Sequence, residues 1–196
     1  AVGTEDKWTE CYMAIHCGTP WKSSITEIIQ KEGIKTRGGN LKLAKSLLAE
    51  AEALQPGISE MQLRIIAAND MTFMPEAGLV MWEALRNLGF VNTELVSLDW
   101  GSRVAITGGE GPWEAATSWS NFANGLNPLA PHMFSGRSYS GYLNPLIDEV
   151  KAQFLVETDP KKAQAQFDEM NRIFYDNPPS LNFFQFMPPR AIRTNV

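Results

Sequence analysis

Apolar side chains recur along this chain with two periods, and the period switches several times. Leu41, Ala44, Leu47, Leu48 and Ala51 fall three or four residues apart, with Lys42, Lys45 and Glu50 between them, which predicts a helix with one apolar face. Asn40 stands at its capping position and Pro56-Gly57 ends it. Residues 61–68 read as a strand bounded by Asn69-Asp70. Residues 73–88 predict a second helix with the stripe Met74, Ala77, Gly78, Met81, Ala84, Leu85 and Leu88, closed by Gly89. Residues 90–98 predict a second strand. Asp99 caps a short third helix through Ile106 that Gly108-Gly109 breaks, and residues 114–119 alternate as a third strand. Strands alternating with helices in this order predict an α/β fold: a mainly parallel sheet flanked by helices.

The last third is mostly helical. Asn144-Pro145 and Asp159-Pro160 each set a capping residue before a proline at the first helical position. Leu146, Ile147, Val150 and Phe154 line one face of the first helix. Ala163, Phe167, Met170 and Ile173 or Phe174 line the second, and residues 175–179 stop it. Residues 181–186 predict a final strand, and Pro188-Pro189 begin an extended exit. Residues 1–39 show little periodicity; Gly18-Thr19-Pro20 marks a turn, and residues 24–31 suggest one or two helical turns.

Composition narrows the partners. With 196 residues, 44% hydrophobic and 20% charged, the chain can build one domain with a substantial core. A net charge of -5 argues against nucleic acid or an anionic membrane as partner. No apolar run is long enough to span a bilayer. The polar opening and the unpunctuated end are those expected of a mature fragment or excised domain. Cys11 and Cys17 are close enough in sequence to close a small disulfide loop in an oxidising compartment. A metal site would need four ligands, and His16 and the distant His132 are the only histidines. Two unrelated thiols are the third reading.

Residues 113–142 stand apart. The predicted strand runs into a segment rich in aromatics, amides and glycine, with no acid after Glu114. Aromatics offer contact area and amides offer both donors and acceptors, so the segment suits a ligand-binding surface. In a parallel sheet, ligands bind beyond the carboxyl ends of the strands, where this segment begins. The candidate ligand-binding residues are Trp119, Ser120, Asn121, Phe122, Asn124, Arg137 and Tyr139. The structural alternatives are a Trp119 that fills the core, asparagines that form turns, and an Arg137 that is solvated. Trp100 and Arg103 lie on the short third helix, with Trp100 read as core. Enzyme signatures are missing: no nucleophile elbow, phosphate loop or dinucleotide fingerprint occurs. A small α/β enzyme using carboxylates and a protein-interaction domain remain the alternatives to a binding module. The acids, among them Asp99, Asp148, Glu149, Asp159 and Asp168, read as helix caps or solvated faces.

Five motifs in order carry a resemblance. Cys17-Gly18-Thr19-Pro20 looks like a turn in one branch of a known family. Residues 41–51 resemble its Asp-Leu-Glu-Lys-Ala-Lys-x-Leu-Leu-x-Glu-Ala helix, and residues 82–100 resemble its helix, Leu-Gly turn and strand ending in Asp-Trp. Residues 140–148 resemble Gly-Tyr-x-Asn-Pro-x-Leu/Ile-Asp, and residues 158–162 resemble Thr-Asp-Pro-x-Lys/Arg. The chain thus resembles the second, C-terminal lobe of periplasmic solute-binding proteins of the peptide/nickel-type ABC transporters, the dipeptide/oligopeptide-binding class. The resemblance implies a two-lobed clamp that captures a peptide or other small polar solute without catalysis or cofactor. It implies an ABC permease in the membrane, a missing first lobe, and a periplasmic location, secreted or lipid-anchored. Residues 1–39 would be an irregular segment with the disulfide, 40–180 the α/β lobe, and 181–196 the final strand and return toward the first lobe. Dipeptide binders of the family place an aspartate soon after the tryptophan strand to pair with the peptide amine. Residues 119–128 hold amides there, so a neutral or anionic ligand is as open as a peptide.

Overall fold

The structure, a computed structural model, describes residues 8–9, 21, 23, 40–119, 142–180 and 185–186. Cys11, Cys17 and the helical turns expected over residues 24–31 lie outside the described residues. The chain divides into two compact units, residues 31–121 and residues 1–30 with 122–196.

The first unit holds the sheet. Helix α1 (Leu41–Leu54) starts at Asn40, whose side chain accepts the Leu43 N–H at 3.0 Å. It turns only its Ala44, Leu48 and Ala51 side inward. Leu41 and Leu47, expected on the apolar face, are 47% and 53% exposed. After the helix, the Glu52 carboxylate accepts the Gly57 and Ser59 N–H groups at 2.6 and 3.0 Å and folds the chain into a 3-10 turn, Ile58–Glu60. Strand β2 (Leu63–Ala68) then begins, two residues later than its apolar run.

Strand β2 is the centre of a three-stranded sheet. It pairs in parallel with β3 (Thr93–Leu98) from Leu63↔Thr93 to Ala68↔Leu98, and with β4 (Ala115–Ala116) at Ile65↔Ala115 and Ile66↔Ala116. Ile65, Ile66, Ala67 and Ala68 are all buried, as expected of a central parallel strand covered on both faces. Residues 90–92 stay outside β3 because they serve the 3-10 turn. The Val91 N–H donates to Ser59 O, and Asn92 Nδ2 donates to Glu60 O at 2.6 Å. Between β2 and β3 runs α2 (Met74–Leu88), with Pro75 in its first turn and Gly89 at φ 134° after its last. Gly78 lets this helix lie close on the sheet: a Cβ there would sit 2.7 Å from the Ala67 Cβ. Helix α3 (Trp100–Ala105) follows β3 and runs into a wide π turn, Ile106–Glu110, in which Gly109 takes φ 118°.

The second unit is built on two consecutive helices packed on each other, α4 (Pro145–Val156) and α5 (Pro160–Asp176). Both begin with the predicted cap. Asn144 Oδ1 accepts from Leu146 N at 3.1 Å, and Asp159 Oδ1 accepts from Lys161 N at 2.8 Å. Ile147, Phe167, Met170, Ile173 and Phe174 form the buried core, and Trp21 packs into it with its ring 5.1 Å from Phe154 and 5.3 Å from Phe167. Each such buried aliphatic or aromatic side chain contributes roughly 1.5–3 kcal/mol. The N-terminal segment also supplies a short strand. β1 (Trp8–Thr9) pairs antiparallel with β5 (Gln185–Phe186), with Trp8 opposite Phe186.

Candidate functional site

The carboxyl ends of β2, β3 and β4 come together within the first unit. The strand order β3-β2-β4 means that the chain moves from β2 to one side and then crosses to the other. Such a switch in direction leaves a crevice beyond the strand ends, where ligands of open α/β sheets bind.

Each strand end presents defined chemistry. Beyond β2, Asn69 N donates to Leu98 O at 2.6 Å, and Asp70 Oδ1 accepts the Trp100 N–H at 2.9 Å. Beyond β3, Asp99 caps α3, accepting the Ser102 N–H at 3.0 Å and the Ser102 hydroxyl at 2.6 Å. The Ser102 hydroxyl, followed by its backbone N–H, holds the Asp99 carboxyl below the usual carboxylate range. Asp99 is therefore a fixed anion that serves the helix, poorly suited to proton transfer near neutral pH. Beyond β4, Thr117 O accepts from Arg103 Nε at 3.0 Å and Nη2 at 2.7 Å, and Arg103 is 3% exposed. The guanidinium lies 5.2 Å from the centre of the half-buried Trp100 ring, so Trp100 acts as the floor beneath Arg103.

The predicted strand over residues 114–119 is cut to Ala115–Ala116 for this reason. Thr117 N still donates to Ile66 O at 2.9 Å, but Thr117 O is taken by Arg103, and the chain leaves the sheet. Two residues later Trp119 is 44% exposed. The ring does not fill the core of its unit and is available at the strand end. Ser120, Asn121, Phe122, Asn124, Arg137 and Tyr139 lie outside the described residues. Asp70, Arg103 and Thr117 are the additional residues at this edge. The spacing of Trp100 and Arg103 on one helix face was the only sequence signal for any of them.

On the amino side of the same strands, Arg64 and Glu114 pair through Nε to Oε2 at 3.0 Å and through Nη2 to Oε1. The Arg64 side-chain hydrogen bonds hold the Glu114 carboxyl below its ordinary value. No group of three or more His, Cys, Asp or Glu side chains placed to hold a metal occurs among the described residues. Among them, no helix is long and apolar enough to cross a membrane.

This architecture is found in substrate-binding proteins of ABC transporters, and the chain shares the fold of one part of them. It superposes on CtaP, an ABC transporter substrate-binding protein from Listeria monocytogenes, with a TM-score of 0.66 at 15% identity over 89% of this chain. It superposes on AgaA from A. tumefaciens R10, solved in complex with agropinic acid, with 0.67 at 16% identity over 93%. The murein tripeptide binding protein MppA of Escherichia coli gives 0.66 at 17% identity over 92%. The chain spans about a third of each: 34%, 36% and 33% of their lengths. No protein-family model and no curated protein matches the chain.

Proposed function

We propose that this chain is a ligand-binding lobe of a longer, two-lobed substrate-binding protein that captures a peptide or other small polar solute for an ABC permease. The observation that supports this most is the fold likeness, which runs over 89–93% of this chain and about a third of proteins of that kind. Trp119 stands exposed at the carboxyl edge of the sheet, where such a lobe would meet its ligand. In this reading Ser120, Asn121, Phe122, Asn124, Arg137 and Tyr139 are further ligand-binding residues, and they bring stacking and hydrogen-bonding groups. The lobe runs over residues 40–180, and residues 181–196 return toward a first lobe that supplies the other jaw. Binding closes the two lobes by a hinge and involves no chemistry. The protein works in the periplasm, secreted or lipid-anchored, where Cys11 and Cys17 form a disulfide.

The ligand class stays at peptide or other small polar solute. MppA is named for a murein tripeptide, whereas AgaA was solved with agropinic acid, so proteins of this fold hold ligands of different chemistry. The amides that replace an acid after Trp119 favour a ligand without a buried ammonium. A thermal-shift screen of the longer protein against short peptides, oligosaccharides and carboxylates tests this function. A ligand of the native state at about 100 times its Kd adds about 2.7 kcal/mol to stability and raises the melting temperature with concentration. A flat response to all three classes, or turnover of any of them, would sink the reading.

A further inference from the structure

One side-chain network ties the ends of all three strands together. Asp70 beyond β2 holds the first N–H of α3 at 2.9 Å, and Asp99 beyond β3 caps the same helix through Ser102. Arg103, on the helix so anchored, reaches across to Thr117 O beyond β4. We propose that Arg103 is a positioning residue for ligand binding: by holding the Thr117 carbonyl it sets the direction in which the chain leaves β4, and so places Ser118 and Trp119 at the site. The inference rests on the ligand-binding reading of this edge.

Four observations carry it. The backbone ladder between β4 and β2 ends at the Thr117 N–H, so the next polar group of the strand depends on a side chain. Two N–H groups of one planar guanidinium, at 3.0 and 2.7 Å, fix the orientation of that carbonyl in a way a single donor cannot. The guanidinium is itself held: it is buried over Trp100, Nη1 donates to Thr107 Oγ1 at 3.3 Å, and Thr107 Oγ1 donates back to Arg103 O at 3.1 Å. Trp119 follows two residues later and is 44% exposed, so backbone direction decides where its ring stands.

The test uses Arg103→Lys and Arg103→Gln in the longer protein, with tri-alanine and maltotriose as probes. Two readouts are taken, amide hydrogen exchange and calorimetric Kd. Exchange at Thr117, whose N–H donates to Ile66 O, should rise about tenfold while residues 65–68 stay within about twofold, a local opening that leaves the core closed. The probe that binds the parent protein should bind both variants about tenfold more weakly, with no rescue by lysine, which keeps the charge and loses the fork. If exchange rises equally through β2, or if affinity is unchanged, the positioning role is wrong. If neither probe binds the parent protein, a solute that shifts its melting temperature in the three-class screen takes their place, and a flat response to all three classes overturns the ligand-binding reading and this role with it. Should the Arg103 variants fail to fold, Thr107→Val removes one partner of the guanidinium and carries the same test. An effect in the same direction of about threefold supports the role, and unchanged exchange and affinity overturn it.

Discussion

A tryptophan that fills a core and a tryptophan that waits for a ligand answer differently to truncation. Trp119 is 44% exposed at the end of β4, so Trp119→Ala should leave the melting temperature nearly unchanged, within the ±0.5 kcal/mol usual for surface sites. It should weaken ligand binding, since stacked aromatics dominate such contacts. A large loss of stability with affinity retained would return Trp119 to the core. Carboxylates act at the same scale. Glu114 is held below its ordinary value of 4.5 by the Arg64 side chain, so its folded value lies under its unfolded one. Its contribution is therefore fully present above the unfolded value and is lost as pH falls through the folded one. Acid melting should show stability declining below about pH 4.5, and Glu114→Gln should flatten that decline. Equal acid slopes in the two proteins would remove the pair from the account. The Ser59 and Gly57 N–H groups act on Glu52 in the same direction, so that turn loosens over the same range.

Between elements, α2 lies close on β2. A Cβ at Gly78 would meet Ala67 Cβ at 2.7 Å and Leu95 Cδ1 at 3.1 Å, inside ordinary contact. Gly78→Ala should therefore destabilise by roughly 1–3 kcal/mol, the usual result of overpacking, although alanine is the better helix former. Denaturant melts giving a more stable variant would mean that the helix can lift off the sheet without loss. Local signals made much of this architecture legible in advance. Asn40, Asp99, Asn144 and Asp159 cap their helices because a cap involves residues two or three apart. The hydrophobic runs place β2 and β3, and the β-α-β order gives the parallel sheet. The limits of β3 and β4 were not legible, because they are set by distant partners: Asn92 is drawn to the 3-10 turn, and Thr117 O to Arg103. Of the candidate site, Trp119 was legible as an aromatic at a strand end. Asp70 and Arg103 were not, since their roles appear only when three strand ends are brought to one edge. The apolar face of α1 is narrower than its spacing predicts; Leu41 and Leu47 keep the spacing of a buried stripe and remain about half exposed.

For the whole molecule, the proposed function makes the chain one jaw of a clamp. Its fold likeness extends over nearly all of its own length but only about a third of proteins such as CtaP and MppA. A jaw contributes part of a site, and a ligand enclosed between two lobes loses most of its contacts when one is absent. Calorimetric titration of one solute that binds the longer protein, repeated on this chain alone, tests the claim most directly. The account predicts saturable binding of one ligand per longer protein, unaltered ligand recovered afterwards, and affinity for the isolated chain weaker by at least about 1.4 kcal/mol, or tenfold. Equal affinity for both proteins, or ligand recovered as a chemically changed product, would contradict it.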